Sequence, residues 1–318
     1  FDATGLMKLG SLWLGYDNNI SDISPLSGMT EVKFLDLGDN NISDISPLWG
    51  MTEVKFLDLG DNNISDISPL SGMTEIEDLY LSYNNITDLS PLSGMTGMKD
   101  LHLSDNNISD LSPLSGMTER RNLRLSGNKI SDLSPLSGMT EMRDLHLSGN
   151  NISDISPLSG MSELTNLQLS DNNLTELTQL SELTKIEYLR LADNNITDVS
   201  PLSGMTEMKY LDLSDNNLSD LTPLSFLENL SNLDLSGNPT DILSQRDMLE
   251  TALPETSITW PTAKLIKVDF TELGDLKKVV EMGADIDYPE PRADIDYPKP
   301  FLDIPPSVPM VVEDAQAN

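Results

Sequence analysis

The chain holds two histidines, His102 and His146, and no cysteine. That inventory excludes a disulfide, a thiolate metal site and a cysteine nucleophile. Both histidines occupy the same place in a 22-residue repeat, two units apart. On strands stacked at about 4.8 Å each they would stand ~10 Å apart, too far to share a metal ion. Neither a glycine-rich phosphate loop nor a serine–histidine–aspartate order can be read, so no enzyme, cofactor or metal site is expected. What the sequence does concentrate is recognition chemistry. Its scarce basic residues, with several aromatics, gather in two columns of the repeat. The candidate ligand-binding set is Tyr80, Tyr83, His102, Arg121, Arg124, Arg143, His146, Gln168, Tyr188, Arg190 and Tyr210. Arginine and aromatic residues are favoured anchors of protein interfaces. The alternative is a solvent-facing column that varies freely, with Lys33 or Lys55 paired to the nearby Glu31 or Glu53.

These columns exist because one unit is copied. Its first Leu recurs at 35, 57, 79, 101, 123, 145, 167, 189, 211 and 233, a strict period that signals a stacked solenoid. Counted from that Leu, positions 1, 3, 8, 11, 14, 17 and 20 are apolar and are expected to face a common core. Positions 1 and 3 flank a variable position 2, the alternation of a short strand with one buried face. Such strands can pair only with their equivalents in adjacent coils, which gives a parallel sheet. Positions 2 and 21, the two variable columns, then lie on its exposed concave side. Position 6 is Asn throughout, at Asn18 and then Asn40, Asn62, Asn84, Asn106, Asn128, Asn150, Asn172, Asn194, Asn216 and Asn238. An amide carries donors and an acceptor, so this column is expected to satisfy the backbone of the turn that leaves each strand. The Ser-Asp-Ile-Ser-Pro-Leu that follows, as at 43–48, reads as a single 3₁₀ turn, with the Ser before Pro as its cap. Asp at position 10 is expected to cap that turn rather than collect Ca²⁺, because no EF-hand ligand spacing occurs. Asn-x-Ser/Thr triplets such as those at Asn41 and Asn63 arise automatically from the repeat.

Residues 1–238 are read as eleven coils, the first truncated or degenerate, with one residue inserted before Asn18. Because the chain starts at Phe1 without Met and inside a repeat, an upstream segment is expected, unless the opening residues are themselves a degenerate cap. Arg120 occupies core position 20, and its guanidinium is expected to snorkel outward along a buried stem. Gln179, Glu182 and Leu183 replace the usual Pro, Gly and Met, so the eighth convex turn should be looser or more helical. Residues 239–260 read as a C-terminal cap, with an amphipathic helix over Asp241–Leu253 and a strand over Ser257–Trp260. Residues 261–318 form an acidic, Pro-rich tail with one helix over Leu273–Met282. That helix and the loop after it weakly resemble part of an ankyrin repeat, and a linker is the equal alternative.

The formal net charge is −33, from 19 Lys and Arg against 52 Asp and Glu. Such acidity argues against nucleic acid or an anionic membrane as the main partner. No apolar run approaches the ~20 residues of a membrane-spanning helix, and no signal peptide is visible. The unit Leu-x-Leu-x-x-Asn-x-Ile-Ser-Asp-Ile-Ser-Pro-Leu-x-Gly-Met-Thr resembles the 22-residue leucine-rich repeat of bacterial internalin-type proteins over residues ~5–260. That resemblance implies an α/β-class leucine-rich-repeat solenoid, with a parallel sheet on the concave face, short 3₁₀ turns on the convex face and a helical C-terminal cap. Met at position 17 in place of the family's usual Leu is a departure. No helical cap precedes Leu6, and no immunoglobulin-like domain or sorting motif follows, so surface anchoring and host-cell invasion are not carried over. The expected function is a monomeric, non-enzymatic module whose concave face recognises a protein or a glycan. A structural or adhesive spacer and an intracellular scaffold regulating an enzyme are the alternatives. Secretion or surface display is expected, with the cytoplasm as the alternative.

Overall fold

The computed structural model describes residues 8–16 and 18–262. The tail helix and its ankyrin-like loop lie outside the described residues. Among the described residues, twelve three-residue strands make one parallel sheet in chain order. They are β1 (Ser11–Trp13), β2 (Phe34–Asp36), β3 (Phe56–Asp58), β4 (Asp78–Tyr80), β5 (Asp100–His102), β6 (Asn122–Arg124), β7 (Asp144–His146), β8 (Asn166–Gln168), β9 (Tyr188–Arg190), β10 (Tyr210–Asp212), β11 (Asn232–Asp234) and β12 (Ser257–Thr259). The repeated Leu stands at the centre of each of the first eleven strands and pairs in register with its neighbour, as in Leu35↔Leu57. One coil shows the interior well: Leu57, Leu59, Ile64, Ile67, Leu70, Met73 and Ile76 are all buried. In the first coil the core is thinner, and Leu12, Leu14 and Ile20 are only partly buried. A three-residue strand has no independent stability, so each coil folds against the coils beside it.

The asparagine column forms a continuous internal ladder. In Asn106, Nδ2 donates to Leu81 O (2.9 Å) and Leu103 O (3.1 Å), while Oδ1 accepts the Ile86 N–H (2.9 Å). One amide therefore ties its own turn to the preceding coil. The same three bonds recur at Asn84 and Asn194.

On the convex side each coil makes a short 3₁₀ turn, such as Ser46–Leu48. The expected serine cap is corrected by the structure. Ser46 is the first residue of the turn and its hydroxyl caps nothing; Asp44 Oδ1 accepts the Ser46 N–H at 2.8 Å. A carboxylate two residues upstream reaches that donor without helical geometry, as in an Asx turn. The eighth convex turn lengthens to five residues, Thr178–Glu182, as does Thr222–Phe226, which keeps Pro223; what the two share is the loss of Gly, replaced by Glu182 and Phe226.

Arg120 overturns its expectation. The residue is 0% exposed, and its Nε and Nη1 have no hydrogen-bond partner. Nη2 faces only Met117 Sδ (2.6 Å), a weak acceptor. Burial pushes the guanidinium down to about 10, partly offset by Asp100, so it stays charged at neutral pH. Snorkelling fails because position 20 points into the middle of the coil, with packed residues of both neighbouring coils between it and solvent.

The C-terminal cap is also divided differently from expectation. A 3₁₀ segment, Thr240–Gln245, leads into the α-helix α1 (Arg246–Ala252), and β12 closes the sheet. Gln245 takes over pairing that a further coil would supply: Oε1 accepts the Leu221 N–H and Nε2 donates to Ser219 O, both at 2.8 Å. Ile242, Leu249 and Leu253 cover the last apolar layer.

Candidate functional site

Parallel, in-register pairing turns position 2 into a straight row of side chains. Tyr80, His102, Arg124, His146, Gln168 and Arg190 are successive partners across β4 to β9, about 4.8 Å apart. Tyr188 and Tyr210 pair at the start of β9 and β10. Arg121 and Arg143 lie one residue before β6 and β7. Ten of the eleven candidates thus share one face. Tyr83 stands apart, in the turn after β4, where a left-handed backbone (φ 56) leaves its ring 60% exposed.

Within the row, neighbours tune one another. Tyr80 and His102 meet edge-to-face at 4.4 Å. Burial, reinforced by the Arg124 charge, pushes His102 down to about 4, so its ring is neutral at pH 7. Burial and the charges of Asp78, Asp100 and Asp58 push the Tyr80 hydroxyl up. His146 Nε2 lies 2.8 Å from Asp144 Oδ1, and Arg124 Nη2 lies 4.0 Å from Asp144 Oδ2. Burial alone would raise Asp144, but the His146 hydrogen bond and the surrounding cations outweigh it and lower its carboxyl. Arg190 sits over the Tyr210 ring at 5.3 Å.

Column 21 sorts its cations into two kinds. Glu77 takes Lys55 at 3.1 Å and Lys99 at 2.6 Å, and Glu187 takes Lys209 at 2.6 Å. Lys55 is therefore paired across coils and not with Glu53, because equivalent positions are one strand apart. By contrast, Arg121 and Arg143 have no carboxylate within 4 Å among the described residues. Both are exposed.

A cleft lies elsewhere, and the sequence reading missed most of it. It encloses about 310 Å³ toward the N-terminal end of the face, lined by Tyr16, Asp36, Asp39, Asp58 and Asp61 together with Tyr80, Tyr83 and His102. An aromatic stripe runs beside it, from Trp13 to Phe56 (5.8 Å) to Tyr80 (5.4 Å). A signal was present in position 4. It is Gly in coils one to three (Gly15, Gly38, Gly60) and Ser at Ser82 and Ser104, so side chains that would fill the floor are missing. Among the described residues no three His, Cys, Asp or Glu side chains gather as a metal site, and no helix is long and apolar enough to cross a membrane.

Comparison with known proteins agrees with this architecture. The family model described as Leucine Rich repeats (2 copies) matches residues 8–48, 30–72, 52–93, 74–116 and 121–160, and that described as Leucine rich repeat matches 184–239. No curated protein sequence matches significantly. Among solved structures, internalin InlF of Listeria monocytogenes is 28% identical over 81% of this chain and 83% of its own, with a TM-score of 0.69. Internalin C2 of the same organism is 33% identical over 58% of this chain and 82% of its own, with a TM-score of 0.57. The plant peptide hormone receptor RGFR1, in complex with RGF2, shares the fold at 18% identity and a TM-score of 0.57, over 80% of this chain and 50% of its own. The chain belongs to the leucine-rich-repeat family, and its repeats are of the bacterial internalin type.

Proposed function

We propose that the chain is a non-enzymatic recognition module that binds a protein partner on its concave sheet face, centred on Arg121, Arg124 and Arg143. One observation carries the reading. In a chain of net charge −33, Arg121 and Arg143 stand exposed on that face with no carboxylate within 4 Å among the described residues, while Lys55, Lys99 and Lys209 of the same column are neutralised. Cations left unpaired amid so much acid are available to a carboxylate on a partner. Leucine-rich-repeat proteins generally mediate protein–protein binding, and the plant receptor of this fold is a peptide hormone receptor. The backbone is preorganised by the asparagine ladder, which lowers the ordering cost of association. The internalin likeness favours a secreted or surface-displayed protein. A glycan ligand is the second reading, favoured by the aromatic stripe beside the cleft.

The test pairs two triple variants in quantitative capture from extracts of candidate partner cells. R121E/R124E/R143E reverses the concave charge. S115E/S137E/S159E places the same three glutamates on the convex side, with half the change in net charge. Partners shared by wild type and the convex variant should be lost from the concave variant. Equal capture by all three would remove the concave face from the binding reaction.

A further inference from the structure

Two aspartates in the position-2 row are short of hydrogen-bond donors. Asp212 and Asp234 show the ordinary arrangement, in which the serine two residues on gives both its N–H and its hydroxyl. Ser214 reaches Asp212 Oδ1 at 3.1 and 2.6 Å, and Ser236 reaches Asp234 Oδ1 at 2.9 and 2.7 Å. Asp36 and Asp58 hold the same position on β2 and β3, but the residue two on is Gly38 or Gly60. Each carboxylate accepts one backbone N–H through Oδ1, at 3.0 and 2.9 Å. Among the described residues neither has a cation within 4 Å.

The glycines are required by this arrangement. A Cβ on Gly15 would lie 2.9 Å from Asp36 Oδ2, and one on Gly38 would lie 3.0 Å from Asp58 Oδ1. Coils one to three thus lack the serine donor and bring two carboxylates to adjacent strands, as register partners, on the floor of the cleft. Asp36 is only 7% exposed, and like charges at this spacing repel. Burial pushes the Asp58 carboxyl up, the Gly60 N–H pulls it partly back, and the Asp36 charge pushes it up again. Two acids so placed would be stabilised by a cation.

The walls decide which kind. Tyr16 and Tyr83 are exposed rings at the rim, and Tyr80 is the register partner of Asp58. Aromatic faces attract organic cations, and although Asp39, Asp61 and His102 also line the cleft, no three of these side chains gather as a metal site among the described residues. A guanidinium presents five donors in a planar fork that suits paired carboxylates and stacks on aromatic rings. We propose that this cleft receives an arginine side chain of the protein partner, its guanidinium between Asp36 and Asp58 and its stem against Tyr16 and Tyr83. The proposal rests on the concave-face reading for the partner's being a protein. It adds that the partner carries a cation beside the acidic group facing Arg121 and Arg143.

The probe is the blocked tripeptide acetyl-Gly-Arg-Gly-amide, titrated into the full chain while the backbone amides of Gly38 and Gly60 are followed by NMR. A saturable shift at both glycines is expected, absent when citrulline replaces arginine. Asp58→Asn, nearly isosteric, should weaken the interaction about tenfold or more, whereas Asp212→Asn should leave it unchanged. Tyr83→Ala, at an exposed ring that cannot unfold a coil, should weaken it as well. No saturable shift, an equal response to the citrulline peptide, or unchanged affinity in both Asp58→Asn and Tyr83→Ala would overturn the proposal. So would displacement of the peptide by CaCl₂ at an ionic strength matched with NaCl, which would mark an inorganic cation site. The two readings fail separately. Capture lost in R121E/R124E/R143E but intact in D36N/D58N would remove the cleft and keep the face; a positive titration with capture unaffected by the arginine triple would do the reverse.

Discussion

At the residue scale, Arg120 is the sharpest departure from what its neighbours dictate. The same position holds Met98 and Met142 in the adjoining coils, both buried. Replacing an unpaired buried cation with a well-packed apolar residue is commonly neutral to stabilising, by as much as about 1–4 kcal/mol. Arg120→Met should therefore raise the urea midpoint, and a fall would show that the guanidinium has a partner not seen in the structure. The sequence exposed Arg120 as an exception, yet the direction of its side chain was not legible. That direction depends on packing from two neighbouring coils, which a one-dimensional pattern does not contain. His102 carries a pH signature of its own. Its pKa is held near 4 against an ordinary 6.5, so protonation favours the unfolded chain. The stability it contributes is complete above pH ~6.5 and is lost as pH falls toward 4. An NMR titration of its ring should show a midpoint near 4, and His102→Gln should flatten the decline in urea midpoint between neutral pH and that point.

At the scale of the element, the coil was legible because it is written eleven times. Leu spacing gave the strands, position 6 the turn column, and Pro the 3₁₀ segment. One feature was half legible and another escaped. The sequence offered both Asp44 and Ser46 as caps of the convex turn; the aspartate does accept the Ser46 N–H, and the serine hydroxyl caps nothing. Gly15, Gly38 and Gly60 create the cleft through missing side chains, and an absence does not stand out in a column read for chemistry. The asparagine ladder invites a direct trial. Asn106→Ala would strand the Ile86 N–H, while the Leu81 and Leu103 carbonyls each keep one donor, from Asn84 and Asn128. One such stranded group costs about 1–3 kcal/mol, so denaturant unfolding should show a loss of at least ~1 kcal/mol. A loss under ~1 kcal/mol would mean that water replaces the amide.

For the whole molecule, the coils are interchangeable in framework and distinct in surface. Excision of one full unit, residues 145–166, rejoins Asp144 to Leu167 and recreates an ordinary coil boundary. Because stability in a solenoid is a sum of coils and the contacts between neighbours, the shortened chain should still fold, with a slightly lower denaturant m-value. Collapse would show that coils depend on more than the next coil. Charge belongs to this scale too. Acid dominates the chain, Lys55, Lys99, Lys185 and Lys209 are tied up by glutamates across coils, and Arg121 and Arg143 have no such partner among the described residues, next to a cleft that lacks cations. This complementarity of a positive centre and a negative flank is the main reason to expect a partner with a defined docking direction. The most direct measurement is the equilibrium affinity of a captured partner for wild type and for R121E/R124E/R143E, by surface plasmon resonance at low and high salt. The concave-face account predicts a loss of about 100-fold or more at low salt, narrowing as salt screens the charges. Affinities equal within about threefold at both salt concentrations would contradict it.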